Sequence, residues 1–212
     1  EVALRTTDIQ RDLSVLEAAV VNTLCAIVDA REEHDPFRRG HSRRVATVAV
    51  AIAAKLGAAG EAVGQLHTAA LLHDIGKIGV PEALLIQTSP LTANDIEQVR
   101  AHVKIGVRIL SSISALAGTL PGVASQYERW DGAGYPDGLK GEAIPLVARI
   151  IAVADTFDVL TSPNRFQATL DQQVAFVRLL ETAGKQHDPA VIDALGIVIH
   201  DGGTLPLPEP RN

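Results

Sequence analysis

From Leu13 onward the apolar residues of this chain fall three and four positions apart, and they almost nowhere settle into the alternation of a strand. Leu13, Leu16, Val20, Leu24, Ile27 and Val28 mark one face of a helix ending near Ala30, because a 3.6-residue period places such positions on one side of the cylinder. The segment "REEHDPFRRGHS" then intervenes with Pro36 and Gly40, and Val45, Val48, Ile52 and Leu56 resume the rhythm until Gly57 stops it. The same pattern predicts helices over 61–75, 93–111, 145–161, 171–183 and 188–196. The chain is expected to be all-α. Its longest irregular stretch is 131–145, "DGAGYPDGLKGEAIP", dense in glycine and proline. The closing "DGGTLPLPEPRN", 201–212, reads as a frayed, flexible tail.

With 212 residues, 47% of them apolar, the chain can bury one substantial core. A net charge of −6 argues against a nucleic-acid polymer as partner, since phosphate backbones are met by a surplus of Lys and Arg. The single cysteine, Cys25, lies in an apolar helical stretch and cannot form an internal disulfide, which suits a reducing, cytoplasmic setting. The longest nearly apolar run, "VATVAVAIAA", is about half of the ~20 residues needed to cross a bilayer, so no direct membrane insertion is expected. The chain starts at Glu1 and contains no Met, so it reads as a domain excised from something longer.

Polar residues inside apolar helical faces carry the chemical signal, because an imidazole or carboxylate turned inward is costly unless something binds it. His41 lies one turn before Val45. His73 follows Ala70 by three positions, with Asp74 beside it; His102 sits between Val99 and Gly106, and Asp155 stands four residues from both Ile151 and Val159. A lone buried histidine is more often a hydrogen-bonded core residue than a ligand. Several helices each offering an inward N or O donor favour a shared divalent cation, and imidazole with carboxylate but without thiolate suits Mn, Fe or Zn. A metal with open water positions suits hydrolysis of a phosphate ester. Lys77, one turn past His73, either steadies a phosphate or is a solvated surface lysine.

The set His41, His73-Asp74 and Asp155 resembles the HD superfamily of metal-dependent phosphohydrolases. More specifically, "LLHDIGKIGVPE", "LTANDIEQVRAHVKIGVRIL", "YERWDGAGYPDGLKGEAIPLVARIIAVADTFDVLTS" and "HDPAVIDAL" are similar to the HD-GYP family, bacterial signalling domains that hydrolyse cyclic di-GMP. The resemblance spans roughly residues 16 to 200. It implies a bundle of about seven helices around a metal centre, with the Gly134-Tyr135-Pro136 loop beside it. It also implies an HD-GYP domain over 31–200 and an N-terminal helix, 1–30, leading from an upstream sensor. The implied metal ligands are His41, His73, Asp74, His102 and Asp155. Lys77 and Asp74 stand closest to the chemistry, and Lys77, Tyr135 and Arg165 face a cyclic dinucleotide.

Against that family pattern the chain departs in several places. The two residues before "ERWDG" are a His-His pair in typical members, completing a second metal position with the counterpart of His102; here they are Gln126 and Tyr127. Gln offers only a neutral carbonyl oxygen, and a phenol near pKa ~10 must lose its proton to coordinate well. One Mn or Fe ion is therefore favoured over two. Phe37 stands where some members place an acidic ligand for a third. After "DVLTS" the family's basic run is replaced by "PNRFQA", with Asn164 and Gln167 at the expected basic positions and Arg165 in register with a proline. Trp130 and Tyr135 either anchor the loop or meet guanine bases or a partner such as a diguanylate cyclase domain. The stripe Leu13–Val28 either pairs with a second copy, giving a homodimer, or folds back on the bundle. Two functions remain: a phosphohydrolase with an impaired second metal position, and a catalytically silent regulatory module acting through contacts or ligand sensing.

Overall fold

A computed structural model of the chain describes residues 2–163 and 168–201; Arg165, with Asn164 and Gln167, and the tail from 202 lie outside them. Nine α-helices and no strands are found among the described residues. Seven match the helices expected from periodicity: α1 (Val2–Glu33), α2 (His41–Lys55), α3 (Glu61–Leu72), α5 (Ala93–Ser111), α7 (Leu146–Thr161), α8 (Gln172–Leu180) and α9 (Pro189–His200). The other two, α4 (Glu82–Ile86) and α6 (Leu120–Ser125), are five and six residues long, too short to show a period in the sequence. The about seven helices expected are thus present among the described residues, with two short ones added.

The local chemistry sets where several helices begin. The Thr92 hydroxyl accepts the Asp95 N–H at 3.2 Å while the Asp95 carboxylate accepts the Thr92 N–H at 2.9 Å, a reciprocal cap that starts α5. Asp171 and Asp188 cap α8 and α9 by accepting the backbone N–H two residues on. At α2 the turn is made by Gly40, whose φ of 68° is one that a side chain would resist. That turn delivers His41 as the first helical residue.

Two apolar clusters hold the bundle. The larger joins α2, α3, α7, α8 and α9 through Val45, Ile52, Leu66, Ile151, Phe157, Leu179 and Leu195, each no more than 3% exposed. The smaller packs the end of α1 against α3 and α5 through Val28, Leu72, Ile75 and Leu110. At this junction the Glu32 carboxylate of α1 accepts both the Ser42 N–H, at 2.9 Å, and its hydroxyl, at 2.6 Å, fixing α1 to the start of α2. The earlier half of α1 leaves Ile9, Leu13, Val15 and Leu16 more than half exposed. Within its stretch Arg11–Glu33 an 18-residue window, mean hydropathy 1.7 and 11% buried, is long and apolar enough to cross a bilayer. The sequence reading, which considered only the run at 45–54, passed over this stretch.

Helix α3 stops three residues short of the predicted end. After Leu72 the chain tightens into a 3-10 turn, Ile75–Gly79. Neighbouring residues of a continuous helix point about 100° apart, so this break allows His73 and Asp74 to face the same interior. The turn lies directly on α5: a Cβ built on Gly76 would stand 1.9 Å from the His102 carbonyl oxygen.

Candidate metal centre

Four elements converge where the two apolar clusters meet. Helix α2 contributes His41 from its first turn; the end of α3 contributes His73 and Asp74; α5 contributes His102; and α7 contributes Asp155, with Asp158 one turn further on. His41, His73 and Asp155 present ligand atoms that all lie within 4.8 Å of one another. Asp74 Oδ2 lies 3.9 Å from His41 Nε2 and 3.6 Å from His73 Nε2, and Asp74 Oδ1 is 3.9 Å from His102 Nε2.

The histidines are oriented from behind. His73 Nδ1 lies 2.7 Å from the Ala70 carbonyl, His102 Nδ1 lies 2.5 Å from the Val99 carbonyl, and His41 Nδ1 lies 2.7 Å from Asp158 Oδ2. An acceptor at Nδ1 places the proton there and leaves the Nε2 lone pair facing the centre, the tautomer that a metal requires. Burial and Arg38 pull the His41 pKa down, while Asp155 and Asp158 push it up, to about 9. Arg38 Nη1 lies 2.9 Å from His41 Nε2, where its N–H competes for the lone pair whenever the ring is neutral.

The carboxylates are held ionised. Burial alone would raise Asp74, but Lys77, His73 and Arg38 hold it well below the usual carboxylate range. Burial likewise opposes ionisation of Asp155, and His41 reverses the effect. Lys77 donates to Asp74 Oδ2.

Whether such a set fits a cation can be judged from what it leaves unpaired. His73 Nε2, Asp74 Oδ1, His102 Nε2 and Asp155 Oδ1 are buried and make no hydrogen bond; Asp155 Oδ1 approaches His41 Nε2 at 3.3 Å without hydrogen-bond alignment. Glu32 Oε2 is the other such atom among the described residues. Each orphaned polar group costs about 1–3 kcal/mol, so four around one point approach the ~5–15 kcal/mol net stability of a typical domain. A cation held with His41 would engage His73 Nε2 and Asp155 Oδ1 together, and the imidazole–carboxylate set suits Mn, Fe or Zn.

The second position is differently furnished. Gln126 is buried, and its amide nitrogen donates to the His73 carbonyl at 2.7 Å and the Val123 carbonyl at 3.3 Å. Tyr127 meets the His102 ring edge-on at 5.1 Å and stacks on Tyr135 at 5.1 Å. Burial, Asp74 and Asp155 push the Tyr127 phenol well above its ordinary pKa, so it stays protonated. The Arg100 guanidinium lies 4.7 Å over the Tyr135 ring, so that ring is engaged by two neighbours before any ligand arrives.

The glycine-rich loop is pinned at two points. Glu128 accepts the N–H groups of Asp137, Gly138 and Leu139, and the loop donates from Trp130 and Asp131 to the Gln186 and Lys185 carbonyls between α8 and α9. Two cavities flank the centre. The first, about 250 Å³, is lined by Glu32, Arg38, His41, Asp74 and Lys77 among others. The second, about 260 Å³, is lined by Arg100, Gln126, Tyr127, Tyr135, Asp155 and His187.

Thus His41, His73, Asp74, His102, Asp155 and Lys77 come together; Tyr135 stands in the wall of the second cavity; and Arg165 lies outside the described residues. Sequence reasoning missed Arg38, Asp158 and His187. Asp158 shares a helical face with Asp155 three residues before it, a signal that was available. The ring of His187 sits between the hydroxyls of Thr182, at 2.8 Å, and Thr156, at 3.1 Å, and burial pushes its pKa down to about 4.

Comparison with known proteins gives an independent measure. The HD domain family model matches residues 27–191. The cyclic di-GMP phosphodiesterase response regulator RpfG of Xanthomonas campestris is 38% identical over 176 residues, covering 82% of this chain and 46% of that protein. A cyclic di-GMP phosphodiesterase of Thermotoga maritima is 38% identical over 165 residues, covering 77% and 45%. Among solved structures, a cyclic GMP-AMP specific phosphodiesterase of Vibrio cholerae shares the fold with a TM-score of 0.66 at 21% identity, over 85% of this chain and 49% of that one. Bd1817 of Bdellovibrio bacteriovorus does so with a TM-score of 0.62 at 22% identity, over 76% and 51%. The chain spans less than half the length of the two curated relatives.

Proposed function

The chain belongs to the HD domain family, in its HD-GYP branch, and from that membership we infer that it is a metal-dependent phosphohydrolase opening a phosphodiester bond of a cyclic dinucleotide, cyclic di-GMP first. One observation carries the reading: the ring of unpaired, buried donors on His73, Asp74, His102 and Asp155. His41, His73, Asp74 and Asp155 would hold one Mn or Fe ion. Such an ion supplies an acidified water as nucleophile and polarises a phosphoryl oxygen.

The chain's own residues do the rest. Asp158 and the Ala70 carbonyl keep the lone pairs of His41 and His73 aimed inward. Lys77, resting on Asp74, sets a fixed positive charge at the edge of the first cavity, where developing phosphate charge is stabilised without reorganisation. At about 250 Å³ that cavity falls below the ~300–1,000 Å³ usual for a whole small-molecule ligand. It suits one half of a cyclic dinucleotide.

A single ion is the working stoichiometry, because the Gln126 amide nitrogen is committed to backbone carbonyls and the Tyr127 phenol keeps its proton. That same commitment supports the second reading, a regulatory module that has lost turnover. The domain proper occupies 31–200, 1–30 leads from an upstream sensor, and cytoplasmic residence fits the single unpaired cysteine. A diguanylate cyclase domain, or a second copy paired along α1, is the partner this reading expects.

The test is turnover of cyclic di-GMP by the Mn-loaded chain, read as linear dinucleotide or GMP by chromatography. The hydrolase reading expects product that disappears in Asp74→Ala. Bound metal without product at high enzyme concentration supports the regulatory module instead, and the Gln126→His, Tyr127→His double variant then asks whether the second position alone was the defect.

A further inference from the structure

We propose that Arg38 is a phosphate-binding residue of this centre, supplying the positive charge that a second metal ion would otherwise bring. The inference rests on the reading of the site as a phosphohydrolase centre and adds a residue to it that no motif of the family marked in this sequence.

Arg38 lies in the loop between α1 and α2, three residues before His41. Its Nη1 reaches His41 Nε2 at 2.9 Å and stands 4.0 Å from Asp74 Oδ2. Its side chain is 36% exposed and lines the first cavity together with His41 and Asp74. Lys77 reaches the same Asp74 oxygen and lines the same cavity. Two cations therefore flank one wall of the centre. At the other oxygen of that carboxylate, Asp74 Oδ1 and His102 Nε2 lie 3.9 Å apart and are unpaired, but Gln126 and Tyr127 supply no imidazole to complete a position there.

His41 Nε2 cannot serve Arg38 and a metal at once, since it has one lone pair. An ion held by His41, His73 and Asp155 would take that lone pair, and Arg38 Nη1 would then be released from His41. The planar fork of five N–H groups matches two oxygens of a phosphate, which a lysine ammonium, a point charge, does not. Arg38 thus passes from His41 to the phosphate as metal binds, and the Asp74 carboxylate, 4.0 Å from its Nη1, keeps it nearby.

This handover makes two opposite predictions for Arg38→Ala in the full chain, measured by calorimetry. Mn²⁺ should bind as tightly as to the unaltered chain or up to about 10-fold tighter, because a competitor for His41 has gone. Inorganic phosphate and cyclic di-GMP should bind the Mn-loaded variant about 10- to 100-fold more weakly, the range for hydrogen bonds to a charged group. Arg38→Lys should fall between, since it keeps the charge and loses the fork.

Weakened Mn²⁺ binding would overturn the proposal, as would unchanged phosphate affinity; a purely structural arginine would weaken both ligands or neither. If phosphate affinity drops in Arg38→Ala while cyclic di-GMP fails to bind even the unaltered chain, Arg38 keeps its role and the proposed substrate is wrong. If cyclic di-GMP binds both chains equally, the substrate stands and the role of Arg38 falls.

Discussion

At Asp158, on α7, a single carboxylate receives three side chains: His41 Nδ1 at 2.7 Å, Arg44 Nε at 2.6 Å and the Ser162 hydroxyl at 3.0 Å. It is 3% exposed and touches no position an ion would occupy, yet it fixes the tautomer and the angle of His41. Asp158→Asn should therefore weaken Mn²⁺ binding by about 10- to 100-fold, the usual effect of removing such an outer partner. It should also lower Tm, because Arg44 loses its buried counter-charge. Calorimetric titration checks the first effect and thermal unfolding the second; unaltered Mn²⁺ affinity would contradict the assigned role. His41, His73, His102 and Asp155 were legible in the sequence because a polar residue breaking an apolar stripe is a one-dimensional signal. Asp158 could have been read from its place on the Asp155 face of α7, but its pairing with His41 across α2 and α7 could not, and Arg38 sits in an irregular loop where no apolar stripe sets off a polar residue.

At the scale of elements, the centre depends on how closely the 3-10 turn Ile75–Gly79 lies on α5. That approach exists only because Gly76 has no side chain: an added Cβ would meet the His102 carbonyl oxygen at 1.9 Å and the Gly106 nitrogen at 2.5 Å. Both neighbours are backbone, so the turn itself would have to move. Gly76→Ala should cost about 1–3 kcal/mol, as overpacking does, lowering Tm by several degrees. It should also weaken Mn²⁺ binding, since the shift carries Asp74 away from His41 and His73; full retention of both stability and Mn²⁺ affinity would show that the close approach does not position the site. The seven long helices were legible from their apolar period. The short α4 and α6 were not, because five or six residues do not fill a periodic window. Nor was the break after Leu72, because the apolar rhythm runs on through Ile75 while the backbone changes helical type.

For the whole molecule, two apolar clusters press together a set of polar groups that neither could bury alone. The bundle is a scaffold for donors contributed by α2, α3, α5 and α7, and its stability and its chemistry are joined at that point. The all-α class and the inward donors were readable from the chain. The cavities, the pinned loop and the engagement of Tyr135 by Tyr127 and Arg100 required the tertiary structure. Binding of an ion to the folded form alone stabilises it by about 2.7 kcal/mol at a hundredfold excess over Kd. The most direct test of the account is anomalous diffraction from crystals saturated with Mn²⁺. It predicts one peak about 2.0–2.2 Å from His41 Nε2, His73 Nε2 and the Asp74 and Asp155 carboxylates, by analogy with the usual ligand distances of a borderline divalent cation. No peak there, or two peaks of equal height with the second between Asp74, His102 and Gln126, would contradict it.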